Sequence, residues 1–160
     1  MGLKLTPRQK KRSFHLPVEQ AVIVPSTQGK TKGISDTKLR TRVNEVKKYL
    51  SNKFGGYTAV KGQGGYYSKG KGLIQERVVK VVSYAEEDKF KKNKPKLIKK
   101  LGAWRKKWGQ ENIGYEHEGD LYYFSKGIES ARSKKKISPS LRKKLLENLK
   151  KARRVKARGK

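Results

Sequence analysis

Five acidic residues, Glu76, Glu111, Glu116, Glu118 and Asp120, occur with Lys80 and His117 nearby in the sequence. Carboxylates converging on a divalent ion would give metal-dependent phosphodiester cleavage, the best form an enzyme could take here. Spacing alone does not assemble such a set. Glu116 and Glu118 share one face of an extended strand and His117 takes the other. A nuclease therefore ranks last among the readings, and the expectation is no catalytic residue, no metal and no cofactor. A second candidate is the loop VPSTQGKTKG, Val24 to Gly33, which sets Gly29-Lys30-Thr31 between a strand and a helix. The phosphate-loop spacing G-x-x-x-x-G-K-[ST] requires glycine where Val24 stands, so Lys30 is left as a non-catalytic phosphate contact. A third is GGYTAVKGQGGYYSKGKG, Gly55 to Gly72. Tyr66 and Tyr67 offer rings to unpaired bases, at about 1–3 kcal/mol per stacked base, and Lys61, Lys69 and Lys71 offer ammonium groups to phosphates.

The elements that would position these residues follow from periodicity. Gln20 to Ser26 reads as a buried strand ended by Pro25, with a polar loop to Gly33. Ser35 caps a helix whose Leu39, Val43, Val46 and Leu50 form one apolar face, with Arg42 displayed elsewhere, and which ends at Phe54 before Gly55-Gly56. A β-hairpin follows, with Tyr57 onward as one strand, Ser68 to Gly72 as the turn and Leu73 to Tyr84 as its partner. Glycines 62, 64 and 65 mark bulges or close approaches. A second helix, capped near Asn93 with Pro95 in its first turn, carries Leu97, Ile98, Leu101, Trp104 and Trp108 on a core-facing side. Asn112 to Phe124 forms a last hairpin turning at Glu118 to Asp120. The predicted fold is α+β, a ferredoxin-like β-α-β-β-α-β sandwich with an extra C-terminal hairpin strand.

Composition gives the partner. The 160 residues hold 43 lysines and arginines against 13 acidic residues, a net charge of +30, and such a chain repels itself unless a polyanion neutralises it. The charge is concentrated at the ends: a basic flexible arm over 1–18 and a basic tail over 127–160, with an amphipathic helix on Ile137, Leu141, Leu145 and Leu149, flank the domain at 19–126. The nucleic-acid-binding residues expected are Lys10, Lys11 and Arg12 in the arm, Lys30 in the loop, and Lys61, Tyr66, Tyr67, Lys69 and Lys71 on the hairpin. The tail adds Lys134, Lys135, Lys136, Arg142, Lys143, Lys144, Lys150, Lys151, Arg153 and Arg154. Cysteine is absent, which excludes disulfides and thiolate chemistry. The longest apolar run, Ala21 to Val24, is too short for a membrane span or a secretory signal, while Thr6 satisfies the short acylation pattern M-G-x-x-x-[ST].

The stretch FGGYTAVKGQGGYYSKGKGLIQERVVKVV followed by KWGQENIGYE resembles a family of small α/β domains of unknown function in bacterial and viral genomes. There a Phe-Gly-Gly-like helix end, a glycine-rich hairpin, a glutamate before a valine-rich strand and a Gly-Gln-Glu after the second helix recur. The likeness spans about residues 20–124 and implies a fold without an activity. The end SPSLRKKLLENLKKARRVK looks like tails of phage, virus and mobile-element proteins. The expectation is a non-enzymatic protein that binds DNA or RNA through phosphates with low sequence specificity, takes no small-molecule substrate and no membrane, and is intracellular or in a virion. The alternative is a structural or assembly component of a virion or ribonucleoprotein particle, with self-association left open.

Overall fold

The computed structural model describes residues 3–128. Its elements are α1 (Pro7–Lys10), β1 (Val18–Pro25), β2 (Thr27–Gln28), β3 (Lys32–Gly33), α2 (Asp36–Phe54), β4 (Thr58–Ser68), β5 (Gly72–Ala85), α3 (Glu87–Lys107), β6 (Ile113–His117) and β7 (Asp120–Phe124). The fold is mixed α+β: three helices and a five-stranded antiparallel sheet in the order β4-β5-β1-β6-β7, with β2 and β3 forming a separate small hairpin. The tail helix and the candidate residues from Lys134 to Arg154 lie outside the described residues.

Alternation along the strands puts the apolar side chains on one face. Val22 lies opposite Val81 of β5 and opposite Tyr115 of β6, and these join Val18, Val24, Val79, Ala85 and Ile113 in one buried cluster. The same cluster takes Val43, Val46, Leu50 and Phe54 of α2 and Phe90, Leu97, Leu101 and Trp104 of α3. Both long helices therefore cover the same side of the sheet. Ser35 caps α2 by accepting from the Lys38 amide, and Gly55, at φ 109°, closes it in the left-handed region where glycine carries no steric penalty. Trp104 and Trp108 are core residues, as their spacing indicated.

Several local expectations change. The helix α3 starts at Glu87, six residues before Asn93, because Glu87 and Asp88 suit the positive end of the helix dipole. Asn93 instead donates its side-chain amide to the carbonyls of Lys89 and Lys53, tying α3 to the end of α2. Pro95 sits inside the helix at an exposed position, where the Lys91 carbonyl that loses its partner can turn to water. No bulge interrupts the long hairpin: its register runs unbroken from Thr58 opposite Val82 to Ser68 opposite Gly72. Within the arm, Thr6 and Gln9 form a reciprocal capping box around the turn α1, with Pro7 at its first position.

The largest departure is Arg42. It is not displayed but buried, 8% exposed, with its guanidinium over the Trp108 ring. It donates to the carbonyls of Pro25 at 2.9 Å, Thr27 at 2.7 Å and Trp108 at 3.2 Å. The position was legible, since Arg42 is three residues after Leu39 and four before Val46, inside the apolar stripe.

Replacing Arg42 by Met would remove three buried hydrogen bonds, leaving the Thr27 carbonyl only its bond from Gln110, and should lower unfolding free energy by about 3 kcal/mol, measured by urea titration. A second prediction concerns Tyr115, whose hydroxyl donates to Gln20 at 3.0 Å. Burial, with smaller contributions from Glu118 and Tyr122, raises its pKa well above the ordinary tyrosine range. Stability from such a group is complete below its unfolded pKa of about 10 and is lost as pH rises above it. Compared with Tyr115→Phe, the wild type should lose about 1.4 kcal/mol of stability per pH unit above about pH 10, read from paired urea titrations.

Candidate functional site

The sheet face away from the helices is assembled from alternate strand residues. In register, β4 contributes Thr58, Val60, Gly62, Gly64 and Tyr66, and β5 contributes Ile74, Glu76, Val78, Lys80, Val82 and Tyr84. Glu19, Ala21, Ile23 and Pro25 come from β1, Gly114 and Glu116 from β6, and Leu121 and Tyr123 from β7. Glycine or alanine stands at Gly62, Gly64, Gly114 and Ala21, and the side chains of Val78 and Ile23 lie against Gly64 and Gly114. On the same face Tyr66, Tyr84 and Tyr123 are exposed, at 46%, 45% and 67%. Three carboxylates, Glu19, Glu76 and Glu116, and one ammonium group, Lys80, fall on this face at separate places along the strands, and Lys80 is paired with Glu116. In a chain of +30, this is a surface where negative charge prevails.

Glu76 is the most constrained carboxylate of the face. Its Oε2 accepts from Thr27 Oγ1 at 2.6 Å, a charge-assisted bond of the strong class. Oε1 has no hydrogen-bond partner among the described residues. The residue opposite it on β4 is Gly64, which adds no side chain beside the carboxylate, and a Cβ there would come within 3.3 Å of Val78. Thr27 is itself fixed, since its carbonyl accepts from Arg42 and from the Gln110 side chain. Burial pulls the Arg42 guanidinium below its ordinary pKa, and the charges of Glu76 and Glu45 draw it part of the way back. Such a site can hold a cationic centre against Glu76, with the Tyr66 ring two residues along the neighbouring strand from Gly64.

Among the described residues, those expected to bind nucleic acid fall at separate places in the fold. Lys61 and Tyr67 share the parity of Ala59, which packs on the core side, while Tyr66 falls on the opposite face. Lys69 and Lys71 lie in the hairpin turn. Lys30 is at the turn between β2 and β3, 3.4 Å from Glu111, and the nearby N-terminus of α2 holds Asp36, itself bound to Arg77. An acidic first residue repels phosphate from the place where a phosphate loop would bind it. Lys10 ends α1, and Lys11 and Arg12 follow it, all exposed.

The acidic residues and His117 weighed for a nuclease are likewise at separate places. His117 stacks on Phe90 on the helix side, 4.8 Å between ring centres. Glu118, in the last turn, accepts from the Glu19 amide, and Glu111 is paired with Lys30. Among the described residues no group of three or more His, Asp or Glu side chains is placed to hold a metal ion, and no helix is long and apolar enough to cross a membrane. Thr27, Gln110 and Arg42 escaped the sequence reading as site residues. Only Arg42 carried a readable signal.

No family model and no curated protein matches the chain. Two solved structures are similar. One is a phage SAM lyase in complex with S-methyl-5'-thioadenosine, 15% identical, covering 69% of this chain and 90% of that chain at a TM-score of 0.49. The other is a phage SAM lyase in the apo state, 15% identical, covering 68% of this chain and 88% of that chain at a TM-score of 0.45. Both are structures of an enzyme, and one contains a small molecule. The expectation of a non-enzymatic DNA- or RNA-binding protein without a small-molecule substrate, together with its assembly-component alternative, is corrected on this finding. The physical reason for the misreading is that net charge reports how a whole chain associates, whereas function resides in a site, and the open face bears the opposite sign.

Proposed function

We propose that the chain is an enzyme acting on a small molecule that carries a positive charge beside a planar ring, bound on the open sheet face with Glu76 as its fixed counter-charge. The observation that carries this reading is the Glu76 carboxylate, fixed by Thr27 on the open face with Gly64 opposite it and Tyr66 beside Gly64 on the neighbouring strand. Two opposite charges about 4 Å apart attract by about 4 kcal/mol at an effective dielectric of about 20, and a tyrosine ring adds about 0.5–2 kcal/mol to a bound cation. A sulfonium centre is its own leaving group, so the protein's part is orientation and a pre-set negative field. S-adenosylmethionine joins a sulfonium, an ammonium group, a carboxylate and a purine ring, and lyase-type cleavage suits such a site: the substrate's own carboxylate oxygen bonds to the γ-carbon as the γ-carbon–sulfur bond breaks, the electron pair leaves on sulfur as neutral S-methyl-5'-thioadenosine, and the amino acid closes to a lactone.

The fold that supports the face is read as a ferredoxin-like sandwich over residues 19–126. Taking the four long strands β1, β4, β5 and β6 in chain order, their sheet order is second, third, first, fourth. The helices α2 and α3 make the two crossovers on one side, and β7 is an added edge strand. This arrangement leaves one sheet face uncovered by α2 and α3.

Incubating the full chain with S-adenosylmethionine and separating products by chromatography should yield S-methyl-5'-thioadenosine. Glu76→Gln should lower kcat/KM by about 100- to 1,000-fold, while Lys61→Ala and Lys69→Ala leave it near wild type. Absence of product together with absence of binding heat in calorimetry would overturn the assignment.

A further inference from the structure

Resting on that reading of the open face, we propose that Thr27 is the positioning residue of the site, holding the Glu76 carboxylate in one orientation so that only Oε1 is presented to the substrate. A glutamate side chain on a strand has three rotatable bonds, and confining it costs up to about 2 kcal/mol of rotamer freedom. A single strong bond from a rigid donor is the economical way to confine it. Thr27 meets that requirement. It is 8% exposed, and its Oγ1 lies 2.6 Å from Glu76 Oε2.

The donor is rigid because its backbone is held from three sides. Both lone pairs of the Thr27 carbonyl are taken, one by Arg42 Nη1 at 2.7 Å and one by Gln110 Nε2. The preceding amide, Ser26, donates to the Arg77 carbonyl at 3.0 Å, and the Ser26 carbonyl accepts from Ile34 at 2.9 Å. Two residues on, Gly29 donates to the Gly109 carbonyl at 2.9 Å. The segment is thus pinned to α2 through Arg42, to the end of α3 through Gly109 and Gln110, and to β5 through Arg77. What rides on this frame is one hydroxyl aimed at one carboxylate oxygen. The unoccupied Oε1, opposite side-chain-free Gly64, is the group left to meet a cation.

A hydroxyl that merely capped the end of β1 would matter to stability and not to turnover, and this separates the two roles. In the full chain, Thr27→Val keeps shape and removes the donor, whereas Thr27→Ser restores it. With S-adenosylmethionine as substrate, Thr27→Val should lower kcat by about 10- to 100-fold, with less change in KM, and Thr27→Ser should recover most of it. A second readout needs no turnover: three-bond couplings of Glu76 by NMR should report a single χ1 rotamer in the wild type and in Thr27→Ser, and averaging in Thr27→Val. Wild-type kcat in Thr27→Val alongside an inactive Glu76→Gln would overturn the proposal, as would one fixed Glu76 rotamer in Thr27→Val. Should the wild type neither bind nor turn over S-adenosylmethionine, the assignment of function falls by itself, and the couplings alone then decide whether Thr27 orients Glu76.

Discussion

A guanidinium removed from water is tolerated only where acceptors replace the lost hydration, and Arg42 meets that condition with three backbone carbonyls and no carboxylate in direct contact. Because the acceptors belong to the end of β1, the loop after it and the end of α3, satisfying one buried charge fixes three chain segments relative to α2. Much of the site inherits its rigidity from this. Arg42 is one of the groups that hold Thr27, which holds Glu76, so the half-buried carboxylate on one side of the sheet depends in part on a cation buried on the other.

The same constraint shapes the distribution of charge. With 43 basic residues in 160, the solvent-facing sides of α2 and α3 are dense with lysine, and any anion at large is drawn to them. Glu19, Glu76 and Glu116 are set instead on the sheet face farthest from those helices, where Lys80 is neutralised by Glu116. At physiological salt exposed charges more than about 8 Å apart are largely screened from one another, so the lysines on the outer helix surfaces act little on this face, while the buried Arg42 still feels the charge of Glu76. The total of +30 and the face-level excess of carboxylates are therefore compatible, and only the second bears on what the face can hold.

The parts of this protein legible in the sequence are those governed by local rules. Ser35 and Gly55 bounded α2, the Lys69 to Lys71 turn was bracketed by strand-forming runs, and Trp104 and Trp108 declared themselves core by their four-residue spacing. The start of α3 was misplaced because Asn93 and Pro95 look like a helix beginning, while two acidic residues further upstream set the real one. The site was harder for a different reason. Lys61, Tyr66 and Tyr67 are neighbours in sequence, but a strand's two-residue period divides them between faces, and parity would have shown this had it been applied to the hairpin as it was to His117. Thr27, Gln110 and Glu76 are 49 and 83 residues apart in their pairings, and no periodicity reports a contact between a loop, a helix end and a distant strand.

Two of the stretches that carried the family resemblance, the glutamate before the valine-rich strand and the Gly-Gln after the second helix, meet physically at Thr27. Gly109 shows why the second stretch takes its form. Its φ of 64° lies in the left-handed region, and a Cβ added to it would sit 3.1 Å from the Gln28 side chain, so only glycine lets the chain reverse there while touching the β2 segment. That reversal is what delivers Gln110 to the Thr27 carbonyl. Helix end, loop and strand thus form one mechanical unit whose single chemical product is the orientation of Glu76, and a change at Gly109 would reach the carboxylate through Gln110 and Thr27 without touching it.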